Sequence, residues 1–209
     1  MKSYVFNIPA SLGKVIRTPV RNKFDTLEIL IRCVKYMLVS DTLPRDGGVG
    51  KMVLSVERGS RLFFFTEDKF FSISFPFTVK EEKLKFEFGS TYSFRVDHHI
   101  TSELLSVFQV FNGSRRSDLY RILEAVADVE VALEGFSDLL WHLLTYEDGY
   151  VRYDKDADNE NGDIHPLYHY DFFYSSRAAC KVGLRSALKE EQMMDLFSTS
   201  TACHYFESR

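Results

Sequence analysis

The segment "LFFFTEDKFFSISFPF", residues 62–77, constrains the fold of this chain more than any other feature of the sequence. In an extended strand, successive side chains point to opposite faces, and in this segment both sets of side chains are apolar. A sheet that contains it therefore needs a covering layer on each of its two faces. Pro76 lacks an amide proton, which predicts that its strand lies at an edge, contains a bulge or ends there.

The segment belongs to a predicted antiparallel meander over residues 51–97. Apolar runs alternate there with short polar turns, in the order "KMVLSVE", "RLFFFTE", "FFSISFPFTV", "LKFEF" and "TYSFRVD". Runs of this length between turn residues are typical of consecutive strands. In "LKFEF" the apolar residues alternate with Lys85 and Glu87, a pattern that indicates a sheet with one face in solvent.

Helices are predicted to form the covering layer. Residues 24–40 have apolar side chains at helical spacing, with Asp25 as the expected cap and Glu28 as its capping-box partner. The residues before this helix, with two prolines, are expected to be irregular. Two further helical segments are expected at 101–111 and 117–146.

The second of these segments contains a glycine at position 135. Gly135 followed by Ser137 and Asp138 indicates a break into two helices, because Ser and Asp are favourable N-caps. The C-terminal part predicts two strands around an acidic loop, a third strand at 178–184 and a helix at 186–206.

Strands and helices thus follow one another in blocks, which predicts an α+β fold with an antiparallel aromatic sheet, covered by helices, and a C-terminal hairpin region packed onto it. A chain of 209 residues fits one domain. We expect a single domain, 1–209, with four parts: the N-terminal helix and loop (1–50), the meander (51–97), the helical part (98–147) and the hairpin region with the last helix (148–209).

Charge and cysteine content exclude some classes of protein. The formal net charge is −4, which disfavours a protein that coats nucleic acid broadly. Local nucleic-acid binding remains open in the basic first 50 residues, near Lys14, Arg17, Arg21 and Lys23. Three cysteines at spacings that match no zinc or redox motif predict free thiols. With neither a signal peptide nor a membrane span recognisable, we expect a cytoplasmic protein.

The segment "VRYDKDADNENGDIHPLYHYDFFYSS", residues 151–176, carries the candidate site. On paired antiparallel strands, alternation would bring together one group of charged and imidazole side chains: Arg152, Asp154, His165, His169 and Asp171. Arg can hold an anion, and imidazoles transfer protons near neutral pH, so this group fits acid–base cleavage of a phosphodiester. The alternative is an acidic hairpin loop with two histidines packed among tyrosines.

A metal site on the same residues is a weaker interpretation. His165, His169 and Asp171 would form a face of two histidines and one carboxylate, a set that suits a first-row transition metal. Two residues at i and i+4 of a straight strand, however, lie about 13 Å apart at about 3.3 Å per residue. Both histidines can ligate one ion only if the strand bends or bulges. We therefore predict no metal ligands, and the sequence specifies no cofactor.

The arrangement Arg152-Tyr153-Asp154, an acidic loop and His165-Pro166-x-x-His169 resembles an uncharacterised family of prokaryotic proteins of about this length. The resemblance covers residues 152–171. It implies a bacterial accessory protein of a phage-defence or toxin–antitoxin system, and it carries no established activity.

Two hypotheses about function follow. In the first, the protein cleaves RNA or DNA: Arg152 holds the phosphate, His165 and His169 act as acid and base, and Asp154 orients one imidazole. In the second, it is a non-catalytic interaction protein such as an antitoxin, an inhibitor or a subunit, and the aromatic run 62–77 forms part of its interface. A small-molecule or nucleotide sensor that uses the same residues is a third possibility. No membrane partner is expected.

Overall fold

The computed structural model describes residues 2–40, 48–67, 69–82, 85–90, 95–113, 119–174 and 180–205. Within these ranges the fold is α+β, as predicted. In chain order the elements are β1 (Lys2–Asn7), α1 (Ala10–Arg17), α2 (Lys23–Met37), β2 (Lys51–Val56), β3 (Arg61–Phe65), β4 (Lys69–Ser74), β5 (Thr78–Glu82), β6 (Lys85–Gly89), β7 (Arg95–Val96), α3 (His98–Gly113), α4 (Leu119–Ala132), α5 (Phe136–Thr145), β8 (Val151–Lys155), β9 (Tyr168–Phe172), β10 (Cys180–Leu184) and α6 (Glu190–Asp195).

Seven strands form one antiparallel sheet in the order β1-β2-β3-β4-β8-β9-β10. We expected the C-terminal hairpin to pack onto the meander. Instead it continues the sheet of the meander, because β8 pairs directly with β4. The other three strands form a separate sheet in the order β5-β6-β7. Part of the last predicted strand of the meander, at 91–94, lies outside the described residues.

The meander divides between the two sheets at Pro76. This proline lies between β4 and β5, so the predicted strand "FFSISFPFTV" is two strands that belong to different sheets. The proline therefore marks the end of a strand, one of the three outcomes that its missing amide proton allows. Phe75 and Phe77 on either side are buried and meet edge to face, with ring centroids 5.5 Å apart.

The aromatic run is covered on both faces of the large sheet, as its composition requires. Leu62, Phe64 and Phe71 pack in one core with the apolar face of α2. On the opposite face, Phe63 and Phe65 pack against Met193 of α6. The suggestion that this run forms an interface is therefore wrong, since its phenylalanines are buried within the chain apart from the partly exposed Phe70.

Two helices begin earlier than predicted because the caps lie upstream. Asn22 caps α2, and its side chain accepts hydrogen bonds from two backbone amides while Asp25 completes the capping box. Asp97 fulfils a similar role for α3, where its carboxylate accepts from the Ile100 amide at 3.0 Å. In both cases the preferred cap is an Asx residue, which satisfies the unpaired amides of the first turn.

The break at Gly135 between α4 and α5 is confirmed, but by a different mechanism. Gly135 has φ of +86°, a left-handed conformation that glycine adopts without steric cost. Neither Ser137 nor Asp138 caps α5. Instead, the Glu130 carboxylate accepts hydrogen bonds from the amides of Gly135 and Ser137.

Both ends of the chain differ from the expectation. Residues 2–17, expected to be irregular, form β1 and α1, and Tyr4 and Phe6 of β1 pack against Phe86. The predicted helix over 186–206 is only α6. After α6, the hydroxyls of Ser198, Ser200 and Thr201 bond one another and nearby backbone, an alternative to helical hydrogen bonding. Among the described residues, no helix is both long and apolar enough to cross a bilayer.

The stacked pair Phe64 and Phe71 provides a test of this core. Both side chains are fully buried, with ring centroids 4.4 Å apart. Phe64→Ala should lower the free energy of unfolding by about 3–5 kcal/mol, because it removes a buried aromatic and leaves a cavity. The measurement is urea denaturation at constant m-value.

The matched control for this test is Val5→Ala on β1, where the side chain is 63% exposed. Its effect should stay within about 1 kcal/mol. Equal losses in the two variants would contradict the assigned core.

Candidate functional site

The register of β8 against β9 builds the site. Arg152 lies opposite Asp171, and Asp154 lies opposite His169. Because alternate residues of a strand share a face, these four side chains lie on one face of the sheet, together with Tyr150 just before β8. The strand pairing thus brings together four of the predicted residues: Arg152, Asp154, His169 and Asp171.

Arg152 bridges the two carboxylates. Its Nη2 lies 2.5 Å from Asp154 Oδ2 and 2.6 Å from Asp171 Oδ2. Burial by itself would lower the pKa of Arg152, but the two carboxylates outweigh that effect and raise the pKa above its ordinary value. The triad of one guanidinium and two carboxylates has a formal charge of −1, so the guanidinium is already neutralised and attracts a phosphate only weakly.

His169 is the most buried member of the cluster, with 1% of its side chain exposed. Its Nδ1 lies 2.9 Å from the carbonyl oxygen of Pro166. A carbonyl can only accept, so Nδ1 carries the proton, and in the neutral ring Nε2 has a free lone pair. That nitrogen lies 3.9 Å from Asp171 Oδ1, beyond hydrogen-bonding distance.

Gly183 on β10 makes this arrangement possible. It lies opposite His169, and a Cβ at this position would be 2.8 Å from Pro166 Cγ. Glycine therefore allows Pro166 to fold over β10 and to present its carbonyl to His169. The close approach explains why a glycine stands within a strand.

The same fold-back brings His165 to His169. We expected the two imidazoles to lie far apart on one straight strand, but β9 begins only at Tyr168, and His165 belongs to the preceding loop. The ring centroids are 4.7 Å apart, in an edge-to-face arrangement. The separation of about 13 Å applies to a straight strand, and the bend at Pro166 is the exception that brings the two rings together.

Asp156 holds His165 in place. His165 Nε2 lies 3.1 Å from Asp156 Oδ2, and Asn159 donates to the same carboxylate from its amide and its side chain. Burial would raise the pKa of Asp156, but the hydrogen bonds from Asn159 and His165 lower it below its ordinary value. The residue that orients an imidazole is thus Asp156, whereas Asp154 is paired with Arg152.

Lys69 and Tyr150 complete the site, and the sequence did not identify either of them. Lys69 on β4 lies opposite Asp154. Burial lowers the pKa of Lys69 to about 8, with a further decrease from Arg152 and an opposing increase from Asp154. Burial raises the pKa of Tyr150 to about 12, and its hydroxyl lies within electrostatic reach of Arg152 and both carboxylates. Only the β4–β8 register reveals Lys69, whereas Tyr150 shares the face of Arg152 and Asp154 by alternation along the chain.

The described residues include one set with metal-ligand geometry. One donor atom from each of Asp154, His169 and Asp171 lies within 4.8 Å of the other two. This set shares His169 and Asp171 with the predicted face of two histidines, but Asp154 replaces His165.

The four basic residues predicted near the N-terminus do not form one cluster. Lys14 and Arg17 are exposed in the last turn of α1, and Arg21 is exposed before α2. Lys23 instead binds the Asp148 carboxylate at 2.7 Å and the Tyr146 carbonyl. A cavity of about 210 Å³ beside α1 is lined by Lys14 but also by two carboxylates, Asp25 and Glu28, so its charge does not favour phosphate.

No family model matches the chain, and no curated protein or solved structure matches it. The functional inference therefore depends on the geometry of the site.

Lys69 allows a test of the electrostatics of this face. A lysine whose pKa falls from 10.5 to about 8 on folding destabilises the protein wherever it is charged in the folded state. At about 1.4 kcal/mol per pKa unit, the cost is of order 3 kcal/mol below about pH 8, and it disappears as the pH rises towards the unfolded value.

Lys69→Met should therefore raise the free energy of unfolding at about pH 7, and its advantage over the wild type should shrink at about pH 9.5. Urea denaturation of both proteins at both pH values measures this. An advantage that is independent of pH would contradict the buried, charged lysine.

Proposed function

We propose that the protein cleaves phosphodiester bonds of RNA or DNA at the face formed by β8, β9 and the loop between them. The observation that carries the proposal is the His165–Asp156 pair, 3.1 Å apart, beside the second imidazole of His169. A carboxylate that accepts from an imidazole fixes the ring and stabilises its protonated form, which is the arrangement of a general base.

His165 is the group to which we assign proton transfer. It is partly exposed, whereas His169 is buried and its Nδ1 proton is directed to Pro166. His165 would take the proton of the attacking hydroxyl or water, the oxygen would bond to phosphorus, and the bond to the leaving oxygen would break. The resulting imidazolium can return its proton to that leaving oxygen.

Arg152 was predicted to hold the phosphate. In the structure its Nη2 contacts two carboxylates, so a phosphate would have to compete with both of them. Positive charge for the phosphoryl oxygens therefore has to come from a further group.

The biological setting that we propose is the one implied by residues 152–171: a bacterial accessory protein of a phage-defence or toxin–antitoxin system. A nuclease activity is compatible with either system. This part of the proposal rests on the resemblance alone.

Cleavage of labelled RNA and DNA by the purified protein, with and without Mg²⁺ or Mn²⁺, tests the proposed chemistry. His165→Ala should reduce the rate at least about 100-fold, the lower range for loss of a general acid–base group. Thermal unfolding of each variant checks that the fold is intact.

His204→Ala is the matched control, because His204 pairs with Asp195 at 3.0 Å in an equivalent dyad on the exposed C-terminal segment. It should cleave like the wild type. A His165→Ala protein that cleaves as fast as the wild type, or a wild type without activity on either substrate, would refute the proposal.

An interaction protein is the second candidate, and the surface of α4 favours it. Tyr120, Leu123 and Val131 are all exposed, and at 3.6 residues per turn they lie within one narrow sector of the helix. An outward-facing apolar stripe on a helix is typical of a surface that packs against another chain.

This second function has its own test. If α4 binds a partner or a second copy, Val131→Asp, at a side chain that is 91% exposed, should abolish that association and leave the fold intact. Sedimentation of the wild type and the variant over a range of concentrations measures it. Two monomeric proteins would exclude self-association through α4.

A further inference from the structure

We infer that Asp154, His169 and Asp171 bind a divalent first-row transition-metal ion. One donor atom from each residue lies within 4.8 Å of the others, and His169 Nε2 is 3.9 Å from Asp171 Oδ1. The cation would complete the site of the proposed function, but binding of the ion does not require cleavage.

The distances fit coordination after a small adjustment. Nitrogen and oxygen ligands bind such ions at about 2.0–2.2 Å, so two ligands of one ion lie between about 3 Å at a right angle and about 4.2 Å when opposite. The 3.9 Å separation falls inside that range. The donor atoms of the three residues lie up to 4.8 Å apart, so the carboxylates would have to move inward by roughly half an ångström. A rotation of the side chains provides such a movement.

The hydrogen bond of His169 orients its imidazole as a metal ligand. Its Nδ1–H donates to the Pro166 carbonyl, and this is the outer hydrogen bond that metal-binding histidines usually make. The bond fixes the ring and leaves Nε2 on the side of Asp171, 3.9 Å from its Oδ1 and too far for a hydrogen bond to that oxygen.

Tyr150 is a further buried polar group beside the three ligands. Its side chain is only 4% exposed, and within the described part of the chain neither its hydroxyl nor the Nε of Arg152 makes a hydrogen bond of good geometry, although the hydroxyl lies close enough to Arg152 to interact with the guanidinium. Tyr150 lies on the same face as the three ligands and interacts electrostatically with both carboxylates. A water molecule in the coordination shell of the ion would give this hydroxyl a partner, since metal ions that have only three protein ligands retain water.

The contacts of the carboxylates leave an oxygen atom available for a cation. Arg152 binds the Oδ2 atom of each carboxylate and offsets one of the two negative charges, which leaves the Oδ1 atom of Asp171 facing His169. Lys69 also faces Asp154, and when protonated it offsets the second negative charge, so the geometry of the ligands and not their net charge favours the ion. Imidazole nitrogen combined with carboxylate oxygen selects ions such as Mn²⁺, Fe²⁺, Co²⁺ or Zn²⁺ over Mg²⁺ and Ca²⁺, which prefer oxygen alone.

Titration with Mn²⁺ tests the site, because the electron paramagnetic resonance signal of free Mn²⁺ decreases when the ion binds. The wild type should bind one Mn²⁺ per chain. Asp154→Asn and Asp171→Asn keep the shape of the side chain but remove its charge, and each should weaken binding at least about 10-fold.

Two controls separate this site from its neighbours. Asp156→Asn removes a carboxylate of the adjacent acidic loop, and Asp195→Asn removes the exposed partner of His204. Both should bind Mn²⁺ within about twofold of the wild type, because neither residue contacts the ion. Loss of binding in Asp156→Asn would place the ion in the loop and overturn the inference.

A measurement on the wild type avoids any folding defect of the variants. Addition of Zn²⁺ should shift the nitrogen resonance of His169 Nε2 and leave that of His204 unchanged. A wild type that retains no Mn²⁺ and shows no Zn²⁺-dependent shift of His169 would also overturn the inference.

Cleavage measured on the same proteins distinguishes the two proposals. Binding without cleavage supports the cation site and refutes the nuclease. Cleavage that depends on His165, by a protein that binds no Mn²⁺ in the titration, supports the nuclease and refutes the cation site.

Discussion

The antiparallel pairing of β4 with β8 is the contact on which the rest of the molecule depends. It joins the aromatic meander to a hairpin that follows the small sheet and three helices in the chain. Closing so long a connection costs conformational entropy, which packing on both faces must offset. Phe70 meets Tyr153 on one face at 5.4 Å, and Phe71 meets Tyr150 on the other at 5.9 Å. The polar cluster is thus anchored to the main core by its aromatic neighbours.

Much of the secondary structure follows from local patterns in the sequence. Apolar runs between turn residues identified the central strands, and helical spacing identified α2, because both patterns are set by burial on one or two faces. The ends of elements were less predictable. Asn22 competes with Asp25 as a cap, and Glu130 reaches across a turn to amides that Ser137 was expected to satisfy. Which side chain caps a helix depends on the path of the chain before and after that helix.

The candidate site shows the same division between local pattern and tertiary contact. Arg152, Asp154, His169 and Asp171 were grouped correctly, since the period of a strand determines which side chains share a face. Lys69 could not be identified, because it reaches the site through a pairing between distant strands. The position of His165 was also hidden, since it depends on a proline that folds over a glycine of the next strand.

The alternation of charged and apolar side chains along β8 also determines the register in which β8 pairs with β4. Arg152 and Asp154 point to one face, whereas Val151 and Tyr153 point to the core beneath α6. If β8 slipped by one residue against β4, every side chain would change faces, and an arginine and an aspartate would enter an aromatic core while a valine and a tyrosine left it. The charged residues that form the site therefore also penalise misregistered pairing. A substitution that makes β8 uniformly apolar would remove that penalty and leave the strand with more than one acceptable alignment.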